Sequence, residues 1–210
     1  MPRRARDADP IGRLKDELTA FAHLCYARGL VSGTGGNVSA RLPGARTFWI
    51  TATGVPLRRA APSDCVEVGL DGAAVTAGLQ PSKECRFHAA IYRQRMQANA
   101  VVHVHAPAAT AFAVRGAPVP LVTVTARARF PGGTPLVTTA LSGSIELAQG
   151  VEGALRQQPE AVALLLQEHG IVALGESVEQ AYHLAELLEE TARTAIGAQV
   201  VAQVLEGRNA

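Results

Sequence analysis

The chain has little of what marks secreted, membrane-bound or nucleic-acid-binding proteins. Its cysteines number three, Cys25, Cys65 and Cys85, an odd count with no paired spacing, which argues against a disulfide framework. No apolar stretch reaches membrane-spanning length, and the N-terminus has no apolar core of a secretory signal, so a soluble cytoplasmic protein with no membrane partner is expected. The formal charge is only +2, too small to argue for nucleic acid. Arg3, Arg4 and Arg6 sit in a short polar leader, residues 1–10, which is expected to be disordered. No internal repeat or low-complexity linker is present. The glycine-rich segments match neither a phosphate loop nor a dinucleotide fingerprint, which argues against a nucleotide ligand.

What remains suits one enzyme-sized domain. The chain has 210 residues, 48% of them hydrophobic and 18% charged, enough to bury a substantial core over residues 11–210. Ile11, Leu14, Leu18, Phe21 and Cys25 form a helical stripe that Gly29 ends. Val38 to Arg41 and Phe48 to Thr51 read as strands around a Pro43-Gly44 turn. A helix is expected from Pro81, where proline suits a first helical position, through Phe87, Ile91 and Tyr92. Ala100 to His105, Ala161 to Leu166 and Ile171 to Leu174 are apolar runs of strand length, and further helices are expected over Ala108 to Val114, Ser142 to Arg156 and Ser177 to Val204. These elements predict an α/β class: a single-domain, layered α/β/α arrangement around a central mixed, largely antiparallel sheet.

The histidines carry the chemistry. In a strand, His103 and His105 point to one face while Val104 turns away, so both imidazoles can reach one ion. His169 lies at a bend between two strand-like runs, where Gly170 is expected to adopt a backbone conformation closed to other residues. A lone histidine on an apolar segment is ordinarily a hydrogen-bonded core residue. Three of them at strand ends, with Glu84 opening a helix, would leave costly buried polar groups unless something shared satisfied them. His103, His105 and His169 therefore read as ligands of a catalytic divalent metal, with Glu84 beside it. His23, His88 and His183 read as structural or supporting, and Cys85 as a small buried hydrophobe.

A second feature is suited to anions. The backbone amides of Gly35 to Asn37, the Thr53-Gly54 turn and the amides and hydroxyl near Ser82 could receive phosphate oxygens, with Lys83 supplying a cation.

Taken in order, Gly-Thr-Gly-Gly-Asn-Val-Ser, Ile50-Thr51-Ala52-Thr53-Gly54, Pro81-Ser82-Lys83-Glu84, Val101-Val102-His103-Val104-His105 and His169-Gly170 resemble the class II aldolase and adducin superfamily, especially its L-fuculose-1-phosphate aldolase-like enzymes. The resemblance runs from about Ile11 to Gln203. It implies Zn²⁺, or another divalent ion such as Mn²⁺ or Co²⁺, on His103, His105 and His169, with Glu84 as acid/base. It implies substrate phosphate at Gly36, Asn37, Thr53, Gly54 and Ser82. It further implies reversible retro-aldol cleavage of a small phosphorylated ketose through a metal-stabilised enediolate, in a homotetramer with active sites between subunits.

The chain also departs from that pattern. Lys83 stands where a second serine is common, and it could pair with phosphate, bind a substrate carboxylate or face solvent. Val122 to Arg129 has no tyrosine to act as proton donor; Arg127 and Arg129 occupy the region, as substrate-carboxylate or supporting groups or as solvated strand-end charges. The tail beyond Val200 lacks an aromatic residue. Decarboxylation of a phosphorylated 3-oxo acid, epimerisation or dehydration of a pentulose phosphate, and a non-catalytic adducin-like scaffold are the alternative readings.

Overall fold

The computed structural model describes residues 9–207. The leader arginines expected to be disordered lie outside the described residues, and Pro10, assigned to that leader, is already helical. Helix α1 spans Pro10–Ala27, with Asp9 accepting the Gly12 amide as its N-cap. The remaining helices are α2 (Cys85–Gln94), α3 (Pro107–Val114), α4 (Val124–Arg129), α5 (Ile145–Gln157) and α6 (Val178–Gly207). Seven strands follow in chain order: β1 (Asn37–Ala40), β2 (Thr47–Thr51), β3 (Cys65–Gly69), β4 (Ala100–Val104), β5 (Leu136–Val137), β6 (Ala163–Leu166) and β7 (Gly170–Gly175). They form one sheet in the order β3-β2-β1-β4-β7-β6-β5, antiparallel throughout except between β5 and β6. The expected mixed, largely antiparallel α/β class is what the chain adopts.

Each face of the sheet carries its own core because successive residues point to opposite sides. Ala100, Val102 and Val104 pack with α1, α3 and α6, among them Leu18, Ala109, Ala185 and Leu188. Val101, Leu164, Val172 and Leu174 pack with Phe87 and Ile91 of α2 and Leu147 and Val151 of α5. His103 follows Val101 by two residues and so points to the α2 and α5 side, where Phe87 meets its ring edge-on. Chemistry is thus confined to one face.

Several expectations are corrected in detail. No helix starts at Pro81: that residue makes a β-bridge with Ala52, Ser82 donates its amide to Thr51 O, and the helix begins at Cys85 with Glu84 at its N-cap. The bridge needs extended backbone there, and it outweighs proline's suitability for a first helical turn. Ser142 is likewise outside α5, whose N-cap is Ser144, its hydroxyl accepting the Leu147 amide. Strand β4 ends at Val104, one residue before His105. The segment containing Arg127 and Arg129 is helix α4, capped by Thr123, and not a strand end. Strands β3 and β5 are short elements that the apolar pattern did not reveal.

One buried charge ties the back face to the site. Glu189 of α6 is 3% exposed and accepts the amides of Ala108 and Ala109, in the first turn of α3, while Arg193 donates to it from the next turn. A carboxylate at a helix N-terminus satisfies amides that the helix itself cannot. It also anchors the chain immediately after His105. Glu189→Ala is expected to lower stability by about 3 kcal/mol, because one buried and one half-buried N–H group lose their acceptor, whereas Glu189→Gln keeps one acceptor and should lose less. Denaturant unfolding midpoints of the three proteins check this order.

Candidate metal centre

Three histidines converge. His103 comes from the last turn-inward position of β4, His105 from the residue after that strand, and His169 from the turn joining β6 to β7. One ring nitrogen from each lies within 4.8 Å of the others. The Nε2 atoms of His103 and His105 are 3.2 Å apart, close to the separation of about 3.3 Å that two ligands of a tetrahedral ion with bonds near 2.0–2.1 Å would have.

The hydrogen bonding of His103 shows what the cluster requires. Its Nδ1 lies 2.9 Å from the carbonyl of Ile171, across the β4–β7 pairing. A carbonyl only accepts, so Nδ1 carries the proton, and in the neutral ring Nε2 is a bare lone pair. That lone pair, on a side chain with no exposure, faces Glu84 Oε2 at 3.1 Å and His105 Nε2 at 3.2 Å. Acceptors packed against acceptors in a buried place repel unless a cation lies among them. A proton would satisfy one such contact, whereas a divalent ion reached by all three nitrogens satisfies the set. The donor chemistry of His103, His105 and His169 therefore fits a metal, with a carbonyl fixing the tautomer as it does behind many metal-bound histidines.

Close backbone approach makes this geometry possible. A side chain at Gly170 would place its first carbon 2.6 Å from Val104 O and 2.9 Å from His105 Cδ2, and one at Gly35 would come 2.8 Å from His105 Nδ1. The expected left-handed residue at the bend is not Gly170 but Glu168, with φ +60°. Gly170 is needed for space, a requirement that single-residue turn preferences do not reveal.

Glu84 is pulled by opposing effects. Burial favours its neutral form, but positive charge on the His103 and His169 side, a proton or a shared cation, together with the Asn37 amide outweighs this and holds the carboxyl well below the usual range. Its Oε2 accepts from Asn37 Nδ2 at 2.8 Å and its Oε1 from Ser142 Oγ at 2.9 Å. Oε1 also lies 3.2 Å from His169 Nε2. Ser142 is a site residue that sequence reasoning missed, having assigned it to a helix. Its signal was weak: a serine beside Gly143, where the chain must pass within contact of the Lys83 carbonyl.

A pocket of about 310 Å³ opens above Glu84, His105 and His169. Gly36, Asn37, Thr53, Gly54, Ser82 and Lys83, all expected at a phosphate site, line it together with Thr34, Gly35 and Ser142. Three of the expected donors are already engaged. The amides of Gly35 and Thr53 bond to Ser32 O and Gln80 O, and the Asn37 side chain serves Glu84 and His88. Arg127 and Arg129 are not brought to this pocket. Arg127 donates to Leu121 O, and Arg129 lines a separate cavity beside α6.

Residues 16–196 match the family model for the class II aldolase and adducin N-terminal domain. The chain belongs to that family. It is an enzyme of the aldolase type. L-fuculose phosphate aldolase of Escherichia coli O6:H1 is 37% identical over 165 residues, 79% of this chain and 74% of the relative. The 5-methylthioribulose-1-phosphate/5-deoxyribulose-1-phosphate aldolase of Escherichia coli O45:K1 is 34% identical over 173 residues, covering 82% and 78%. Among solved structures, YgbL from Escherichia coli, whose description leaves aldolase, epimerase and decarboxylase open, superposes with a TM-score of 0.79 at 32% identity and 89% coverage of both chains. Among the described residues, no helix is long and apolar enough to cross a membrane.

Two outcomes are expected from this centre. Gly170→Ala should displace His105, weakening divalent-metal binding in a dialysis titration and destabilising the protein by roughly 1–3 kcal/mol. Lowering the pH should destabilise the metal-free protein. Burial pushes His88 down to about 3 and His105 down to about 4 from an ordinary 6.5, and lowers His169 as well. Between those folded values and 6.5 the unfolded chain binds more protons, so stability present above 6.5 is lost as the pH falls through that window. Thermal midpoints measured from pH 7.5 to 4 should decline, and a flat profile would contradict these environments.

Proposed function

We propose that this chain is a zinc-dependent carbon–carbon lyase that reversibly cleaves a small ketose phosphate of the fuculose or ribulose type by a retro-aldol reaction. The observation carrying this reading is the bare Nε2 of His103 meeting His105, His169 and an ionised Glu84 at the floor of a pocket with a polar, cation-bearing rim. The substrate class follows the names of the relatives, which are aldolases of L-fuculose phosphate and of 5-methylthioribulose-1-phosphate and 5-deoxyribulose-1-phosphate.

A divalent ion held by the three imidazoles supplies a Lewis acid for the negative charge that develops as the carbon–carbon bond breaks. The chain's own groups do the rest. Glu84 is ionised, desolvated and held from both sides by Asn37 and Ser142, so it is suited to take a proton from the reacting carbon or hydroxyl and return it. Gly36, Gly54, Ser82 and Lys83 at the rim are suited to the phosphate, fixing the reacting carbons over the floor so that remote binding becomes orientation. Arg127 and Arg129, remote within one subunit, would reach a substrate only in a neighbouring copy. We propose a homotetramer with active sites between subunits, built from a catalytic domain spanning residues 11–210. Three unpaired thiols suit the reducing cytoplasm.

A second reading rests on Lys83, whose exposed side chain borders the pocket. A cation there also suits a substrate carboxylate, and loss of carbon dioxide from a phosphorylated 3-oxo acid would use the same floor. Screening phosphorylated ketoses and 3-oxo acids for aldehyde against carbon dioxide release separates the two. Aldehyde from a ketose phosphate is the expected result. Glu84→Gln should keep its metal yet lose at least about a hundredfold in kcat, and Lys83→Met should raise KM roughly tenfold. His103→Ala should lose the metal. Unchanged turnover in Glu84→Gln and His103→Ala would refute the proposal.

A further inference from the structure

Behind Glu84 runs a buried line of hydrogen bonds. Asn37 Oδ1 lies 2.6 Å from His88 Nε2, His88 Nδ1 lies 2.7 Å from Ser39 Oγ, and Ser39 Oγ lies 2.7 Å from Tyr92 Oη. His88 and Ser39 have no exposure at all, Tyr92 none, and Asn37 only 4%. One strand and one helix hold the line, and both border the site: Asn37 and Ser39 on β1, paired with His103 and Val101 of β4, and His88 and Tyr92 one turn apart on α2.

The proton arrangement along this line has a single solution. A carboxylate only accepts, so Asn37 must turn its NH₂ to Glu84 and its carbonyl to His88. The carbonyl only accepts, so His88 carries its proton on Nε2 and leaves Nδ1 bare. Ser39 must then donate to Nδ1, and its oxygen is left to accept from Tyr92. Every donor therefore points toward Glu84. With the opposite tautomer, His88 would seek a donor from Asn37. The amide would turn over and set its carbonyl against Glu84 Oε2.

We infer that His88 is a positioning residue that, through its Nε2–H tautomer, locks the Asn37 amide so that it donates to Glu84, and that Ser39 selects this tautomer. The inference rests on the reading of Glu84 as the acid/base, but it concerns groups that touch neither metal nor substrate. Ser39 thereby influences a carboxylate with which it has no contact, through two intervening side chains.

The test uses the full-length, metal-loaded protein with ¹⁵N-labelled histidine. The His88 nitrogens should give the signature of an Nε2–H tautomer with Nδ1 accepting. In turnover with the best ketose phosphate, H88F and S39A should lose about ten- to a hundredfold in kcat at nearly constant KM and unchanged metal stoichiometry. H88Q, which can still present an N–H to Asn37, should recover part of the loss. Y92F should lose only about twofold, since Ser39 can still donate to His88. An Nδ1–H tautomer, or a kcat in S39A no lower than in Y92F, would overturn the inference. If H88F does not fold, S39A and the tautomer decide it. If the wild type cleaves no ketose phosphate, the proposed reaction fails, while the nitrogen spectrum still decides the proton arrangement.

Discussion

The contact between His103 Nδ1 and the Ile171 carbonyl governs the site. One hydrogen bond between neighbouring strands fixes the proton of the neutral ring on Nδ1 and aims the Nε2 lone pair into a buried space that already holds a carboxylate and a second imidazole. From that point the local electrostatics have one comfortable resolution, a shared cation. The sheet supplies the rigidity, since His103 sits on a central strand paired on both sides. A ligand on so stiff an element cannot swing away to relieve the repulsion, so the fold imposes the demand for positive charge on whatever enters the pocket.

Around this fixed point the other groups are held by elements of different kinds. His105 rides on the strand's exit, secured a few residues later where Glu189 receives the first amides of α3. His169 hangs on a turn whose preceding residue, Glu168, sits in the left-handed region. Glu84 begins a helix but is gripped by side chains from β1 and from the loop before α5. Five separate pieces of chain thus meet, and none of them alone would keep its polar groups satisfied.

Much of this was legible in the sequence, for identifiable reasons. Period-two alternation placed His103 and His105 on one side, and apolar runs marked the central strands, because buried strands leave a hydrophobic trace. The convergence of His103, His105 and His169 beside Glu84 followed, and so did the clustering of Gly36, Asn37, Thr53, Gly54, Ser82 and Lys83 around one pocket. What escaped was tertiary in origin. Pro81 looks like a helix start until its bridge to Ala52 is known, and Ser142 has no local feature that links it to a carboxylate 58 positions earlier. Gly170 shows why composition misleads: the residue is small because a neighbouring strand's carbonyl stands where its side chain would be, not because its torsion angles demand it. Arg127 and Arg129 looked available for substrate because they occupy the segment where the resembled enzymes carry a tyrosine, and the direction in which that segment faces was not legible.

The separation of the two cores has a practical corollary for protein engineering. The side chains that pack α1, α3 and α6 against the sheet alternate along β4 and β7 with those around the imidazoles, so the two sets share a backbone but no volume. A directed-evolution library restricted to Leu18, Ala22, Val102, Ala185 and Leu188 would sample thermal tolerance with the reactive floor left as it is. Substrate preference would be sought in a different library altogether, at the rim.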